Sequence, residues 1–353
     1  MDVVGRLDGR SIHEVRLRSR AGAEMVVMEW GAVVRDLVVP TSTGRRQRVV
    51  LGLSNLDDYI AHSPHFGAIA GRYANRVAGG RFAIDGRVFQ LDLNQNGRHT
   101  LHGGAGGFGV RPWRILHHDE RSVLLTFFSP DGDQGFPGDL TATCRYSLEE
   151  PATLRVELSA STNAATIVNL CHHSYFNLDA SPSILDHALQ LDADFVTPVD
   201  DELIPTGEIR SVGGTAFDFR EARPLRLLDE RTGEPTRYDH NFVLTRERSA
   251  PWGTAERPLA RAARLTSPRS GVAMDIWTTE PGLQVYDGHK CDVPVPGLDD
   301  ARYGANAGIC FEPQIFPDSP NRAHFPSPLL RPGQDYAQTT EYRFGAAEAK
   351  SSM

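Results

Sequence analysis

RFAIDGRVFQL, residues Arg81–Leu91, reads as a β-hairpin. Two runs of strand length flank Asp85-Gly86, and an Asp-Gly pair supplies the left-handed two-residue turn that matches the twist of antiparallel strands. The same pattern recurs outward from it. Further Asp-Gly pairs stand at Asp8, Asp131 and Asp287, and short apolar or alternating runs cover Glu24–Trp30, Val33–Val39, Ser122–Phe128, Leu154–Ala160, Ala165–Leu170 and Val272–Thr279. These are strand lengths, not helix lengths. Sustained 3.6-residue periodicity is scarce, which disfavours alternating strand and helix units around a parallel sheet. The expected class is all-β, as a large antiparallel β-sandwich.

The chain has 353 residues, with 33 Gly and 23 Pro, and no composition break, repeat or linker that divides it. A single domain over residues 1–344 is expected, followed by a disordered tail at 345–353, GAAEAKSSM, which is small and polar. A net charge of −8 without a basic stripe argues against nucleic acid. No apolar stretch reaches membrane-spanning length, and the N-terminal MDVVGRLDGRS carries charges where a signal peptide needs an apolar core. A cytoplasmic protein is expected. Cys144, Cys171, Cys291 and Cys310 lack paired spacing and read as reduced, buried thiols.

Six segments concentrate polar groups between apolar strands. In GICFEPQIFPDSPN, residues 308–321, Glu312 precedes Pro313, which biases it to extended backbone, and Pro317, Asp318 and Pro320 then force a turn. A carboxylate held at the rim of a cavity in this way suits a general base. GRYANRVAGGRF, residues 71–82, carries Asn75 and Arg76, donors for hydroxyls or a carboxylate. NQNGRHTLHGGAGG, residues 94–107, carries His99 and His102, of which alternation turns only one to a given face. In TIVNLCHHSYFNL, residues 166–178, His172 and His173 point oppositely, so one of them can enter a cleft. RYDHNFVL, residues 237–244, brings Asp239, and TTEPGLQVYDG, residues 278–288, puts Gln284 and Tyr286 on one face.

In this order, ANRVAGGRF, HTLHGG, HHSYFNL, YDHNFVL, TTEPGLQVYDG and FEPQIFPDSPN resemble the aldose 1-epimerase family, the galactose mutarotases. The resemblance spans residues 67–321, with further family-like text in VTPVDDELIPTGEIRSVGGTAFDFR, residues 196–220. It implies a large β-sandwich that interconverts α and β anomers of free aldoses such as glucose and galactose, without metal or organic cofactor; whether the protein is a monomer or homodimer stays open. By motif position, Glu312 looks like the base that takes the anomeric hydroxyl proton, and His173 like the acid that protonates the ring oxygen. His102 would assist at the ring oxygen, and Asn75, Arg76, Asp239 and Gln284 would hold hydroxyls. Two positions depart from the pattern: His172 ahead of HSYFNL, and Ile315, where the family often has His. The roles of His172 and His99 stay open.

Four other readings compete. Asp239 and Glu312 could be the carboxyl pair of a glycoside hydrolase. A hexose-6-phosphate 1-epimerase would need an arginine cluster for the phosphate, and none can be assigned. A sugar-binding module without catalysis would keep the pocket alone. A metal on His102, His173 and Glu312 is conceivable by ligand type but has no support from spacing.

Overall fold

The computed structural model describes residues 1–228, 233, 235–245, 253–254 and 257–347. The Arg81–Leu91 segment forms its hairpin: Arg81–Ile84 pairs with Arg87–Gln90, and Asp85 and Gly86 turn the chain with φ of 50° and 79°. Two left-handed residues in succession are what a two-residue hairpin turn of this kind demands.

Alternation builds the largest sheet. Leu140–Glu149 and Thr153–Thr162 are ten residues each and pair antiparallel along their whole length. One face buries Ala142, Cys144, Tyr146, Val156 and Leu158, while Thr141 and Ser161 on the other are exposed. These strands belong to a nine-stranded sheet in which the last strand, Tyr336–Ala346, lies between Thr153–Thr162 and Val272–Thr278. A six-stranded sheet runs Tyr175–Phe176, Ile309–Gln314, Gly282–Tyr286, Asp239–Leu244, Ala193–Thr197, Arg210–Ser211. An N-terminal five-stranded meander covers residues Asp2–Arg48 in chain order.

The two larger sheets close on one apolar core that includes Leu154, Val156 and Tyr342 from the first and Leu283, Val285 and Phe311 from the second. Tyr342 ties them directly. Its hydroxyl donates to the Phe311 carbonyl at 3.1 Å, and its ring lies 4.8 Å from that of Phe176. Beside it the Gln338 amide donates to the carbonyls of Leu170 and Pro313. Because this hydroxyl is fully buried, Tyr342→Phe should cost about 1 kcal/mol, read as a lower urea midpoint with unchanged slope.

Two expectations need correction. Of Ala165–Leu170, only Thr166–Ile167 joins a ladder, with Leu329–Leu330, because the next amides bond elsewhere: Asn169 to the Arg72 carbonyl and Leu170 to the Tyr336 hydroxyl. The final strand reaches Ala346, so Gly345 and Ala346 pair with Ala273 and Val272, where fraying was expected; residues 348–353 lie outside the described ones. The strand Ile309–Gln314 runs on through Pro313, and the turn comes where Pro317, Asp318 and Pro320 are expected to force it. Pro313 lies opposite Leu283 within the ladder.

The pleat of the six-stranded sheet sorts side chains by parity. Leu283, Val285 and Phe311 enter the core, which leaves Gln284, Tyr286, Cys310 and Glu312 on the opposite face.

Candidate active site

That opposite face carries a buried polar row. Thr197 lies opposite Asn241, Asn241 opposite Gln284, and Gln284 opposite Glu312, so four strands each contribute one side chain at the same level. One step along, Asp239 lies opposite Tyr286 and Tyr286 opposite Cys310. Glu312 is 2% exposed and therefore belongs to the floor of the site, not its rim. The Gln284 amide donates to Asp239 at 2.7 Å, and its Oε1 is buried without a partner.

Short ladders bring the remaining groups over this floor. Arg76–Val77 pairs with Thr100–Leu101, so the residues flanking each strand, Asn75 and His102, meet. The Asn75 amide donates to His102 Nδ1 at 3.2 Å, and the His102 amide donates to the Asn75 carbonyl at 3.0 Å. Both residues hold left-handed backbone, with φ of 62° and 51°, a conformation Asn tolerates better than most residues. Arg76 reaches Asn75 Oδ1 at 3.3 Å, Gln95 at 3.1 Å and Asp239 Oδ2 at 3.6 Å.

Cys171–His173 pairs with Ala68–Ala70. Alternation sends Cys171 and His173 to the Glu312 side: Cys171 Sγ lies 3.6 Å from Oε2 and His173 Nε2 lies 3.5 Å from Oε1. His172 goes the other way, between Tyr146 and Tyr342, where its Nδ1 faces the Tyr146 hydroxyl at 3.3 Å. It is a core residue. His99 also stands apart, accepting the Gly79 amide at Nδ1 and facing Glu202 with Nε2.

Burial sets the charge states. It pushes Glu312 up to about 8, helped by the negative charge of Asp239 and opposed by the Cys171 thiol and Arg76. It pushes His173 down to about 4, against a smaller pull from Asp239, and holds His102 well below the ordinary histidine value, with His65, His173 and Arg76 adding to the effect. Between those two values the Glu312–His173 pair shares a single proton.

A family profile described as Aldose 1-epimerase matches residues 13–343. The chain belongs to the aldose 1-epimerase family. It is 40% identical to a galactose mutarotase of Bos taurus over 328 residues, 91% of each chain, and 36% identical to an aldose 1-epimerase of Escherichia coli over 343 residues, 96% of each. Among solved structures it resembles an aldose epimerase homologue from C. elegans, with a TM-score of 0.88 and 30% identity over 96% of this chain and 100% of that one. A galactose 1-epimerase from Lactobacillus acidophilus gives a TM-score of 0.80 at 27% identity over 98% of each chain.

In this aldose 1-epimerase, His102, His173 and Glu312 bring one potential ligand atom each within 4.8 Å of one another. Two imidazoles and a carboxylate are a familiar metal set. The hydrogen bonding contradicts it. A metal-bound histidine donates from its second nitrogen, whereas His102 Nδ1 accepts the Asn75 amide. With Nδ1 accepting, the proton of the neutral ring sits on Nε2, which makes that nitrogen a donor towards the site.

All seven residues picked out by sequence motif, Asn75, Arg76, His102, His173, Asp239, Gln284 and Glu312, lie in this one cluster of contacts. Two neighbours were missed. Cys171, which touches Glu312, could have been found from its i−2 relation to His173 on a strand. His65, whose ring lies 4.8 Å from that of His102, stands in HSPHFG and carries no periodic signal.

Proposed function

We propose that Glu312 and His173 are the base and acid with which this aldose 1-epimerase opens and recloses the sugar ring. The observation that carries the reading is the 3.5 Å approach of two buried groups whose affinities for protons are shifted in opposite directions. Ionised Glu312 takes the proton of the anomeric hydroxyl as the bond from C1 to the ring oxygen breaks, and its electron pair moves to that oxygen. Protonated His173 gives its proton there, leaving a free aldehyde.

Rotation about C1–C2 presents the other carbonyl face. The same groups then run backwards, Glu312 returning its proton to the carbonyl oxygen and His173 recovering one from the ring-forming hydroxyl. The pair holds one proton throughout. In the free protein that proton rests on Glu312, and in the reactive complex it sits on His173, leaving the carboxylate free to act as the base. His102 donates from Nε2 to the ring oxygen, where negative charge develops. Asn75, Arg76, Asp239 and Gln284 hold the remaining hydroxyls, Gln284 with its unpaired Oε1.

Polarimetry on freshly dissolved α-glucose and α-galactose tests the reading. Acceleration of both decays to the equilibrium rotation supports it. Release of nitrophenol from an aryl glycoside, without such acceleration, would replace it with glycoside hydrolysis.

The shared proton predicts the pH profile. Above about pH 8 Glu312 loses it and the pair is empty; below about pH 4 His173 gains a second one. Corrected for the spontaneous reaction, kcat/KM should be flat between these limits and fall on both sides. Asp239 raises Glu312, so Asp239→Asn should move the alkaline limb to lower pH. An unmoved limb would assign it to another group.

The four cysteines are free and buried, and no helix of the described residues is long and apolar enough to cross a membrane. Free thiols favour a reducing compartment, and we assign the protein to the cytoplasm on that basis.

A further inference from the structure

His65 is in contact with the site but has no role in the steps above. Its ring centroid lies 4.8 Å from that of His102 and 5.8 Å from that of His173, and these two lie 5.1 Å apart, so three imidazoles form a triangle. The residue is half-buried, and among the described residues neither ring nitrogen has a hydrogen-bond partner; Nδ1 is fully covered. A polar ring held against two site histidines with its hydrogen-bonding capacity unspent is placed for a ligand.

The segment that carries it is rigid. His65 itself has φ of 70°, in the left-handed region where residues other than glycine are uncommon, although His tolerates it better than most. Its neighbours impose this. The Tyr175 hydroxyl donates to the Pro64 carbonyl, and Phe66 is buried with its ring 4.8 Å from that of Tyr175. The Gly67 amide donates to the His173 carbonyl, and a Cβ on Gly67 would stand 2.2 Å from the Val34 oxygen. Backbone strain that the surroundings enforce beside a reacting group suggests function.

We propose that His65 reads the exocyclic hydroxymethyl group of hexoses and so sets the preference of this enzyme for hexoses over pentoses. The inference rests on the assignment of Glu312 and His173 to O1 and the ring oxygen. Glu312 gathers with His102 and His173, while His65 lies outside that group, against the two imidazoles that serve the ring oxygen. The ring oxygen has two carbon neighbours. C1 belongs to Glu312, and the other is C5, whose substituent in a hexopyranose is the C6 hydroxymethyl. A neutral imidazole can donate to or accept from that hydroxyl, whereas a pentopyranose offers nothing there.

The test compares pairs of sugars that differ only at C6, glucose with xylose and galactose with L-arabinose, by polarimetric kcat/KM. In His65→Phe the hexose-to-pentose ratio should fall roughly fivefold in both pairs, the worth of one neutral hydrogen bond, mainly through KM. His65→Gln, which can still donate and accept, should keep most of the ratio. An unchanged ratio, or equal losses on all four sugars, overturns the proposal, the second outcome making His65 a packing residue. If His65→Phe fails to fold, His65→Ala reads the same ratio. A Glu312→Gln control separates the two failures: near-normal activity there sinks the reading of the site, while its collapse beside an unchanged ratio in the His65 variants sinks only this inference.

Discussion

Glu312→Gln is expected to slow catalysed mutarotation at least about a hundredfold while leaving the fold intact, in keeping with the contribution of one positioned acid or base. Two features favour so clean an outcome. Gln keeps the shape of the side chain, so the ladder positions opposite Gln284 and beside Cys171 are undisturbed. At neutral pH the free protein also holds this carboxyl protonated, because burial and Asp239 raise it to about 8, so an uncharged amide replaces an uncharged acid. The expected result is a normal urea midpoint with lost activity. Polarimetry and denaturation on one preparation decide it, and near-normal activity would remove Glu312 from the mechanism.

His173→Asn should cost at least about a hundredfold as well, since it removes the ring nitrogen that lies 3.5 Å from the Glu312 carboxylate. The double variant is the sharper measurement. If one proton passes between the two side chains, losing either disables the pair, and Glu312→Gln with His173→Asn should be little worse than the poorer single variant. Losses that multiply, to about 10⁴-fold or beyond, would mean that each group acts independently.

Much of the fold could be read locally, because turn chemistry and alternation are local. Asp85-Gly86 makes its hairpin for the reason the sequence suggests, two adjacent left-handed residues. Which strands become neighbours could not be read: the last strand lies between Thr153–Thr162 and Val272–Thr278, partners far away in the chain. Pro313 illustrates how pairing overrides a general local rule. Proline usually marks the end of a strand, but here the ring occupies a ladder position opposite Leu283 and its carbonyl still accepts the Gln338 amide.

The site divides along the same line. Alternation said only that one of His172 and His173 enters a cleft, the family motif chose His173, and His172 proves to be core packing against Tyr146 and Tyr342. The row Thr197, Asn241, Gln284, Glu312 was invisible, since each member comes from a different strand and only pairing sets them level. His65 was invisible too. Its loop has no period, and its place is decided by Phe66 and Gly67 packing on residues distant in sequence.

The pleat of the six-stranded sheet has a consequence for how such an enzyme can change. Leu283, Val285, Ile309 and Phe311 pack into the sandwich core, while Gln284 and Glu312 face the proposed sugar site, so a substitution at Gln284 is expected to change substrate choice with little disturbance of the apolar interior. Deleting one residue early in Ile309–Gln314 does the reverse, exchanging the two faces in a single step and turning Phe311 outward as Glu312 turns into the hydrocarbon. On the proposed site, replacement in this sheet is expected to be tolerated where a change of length is not.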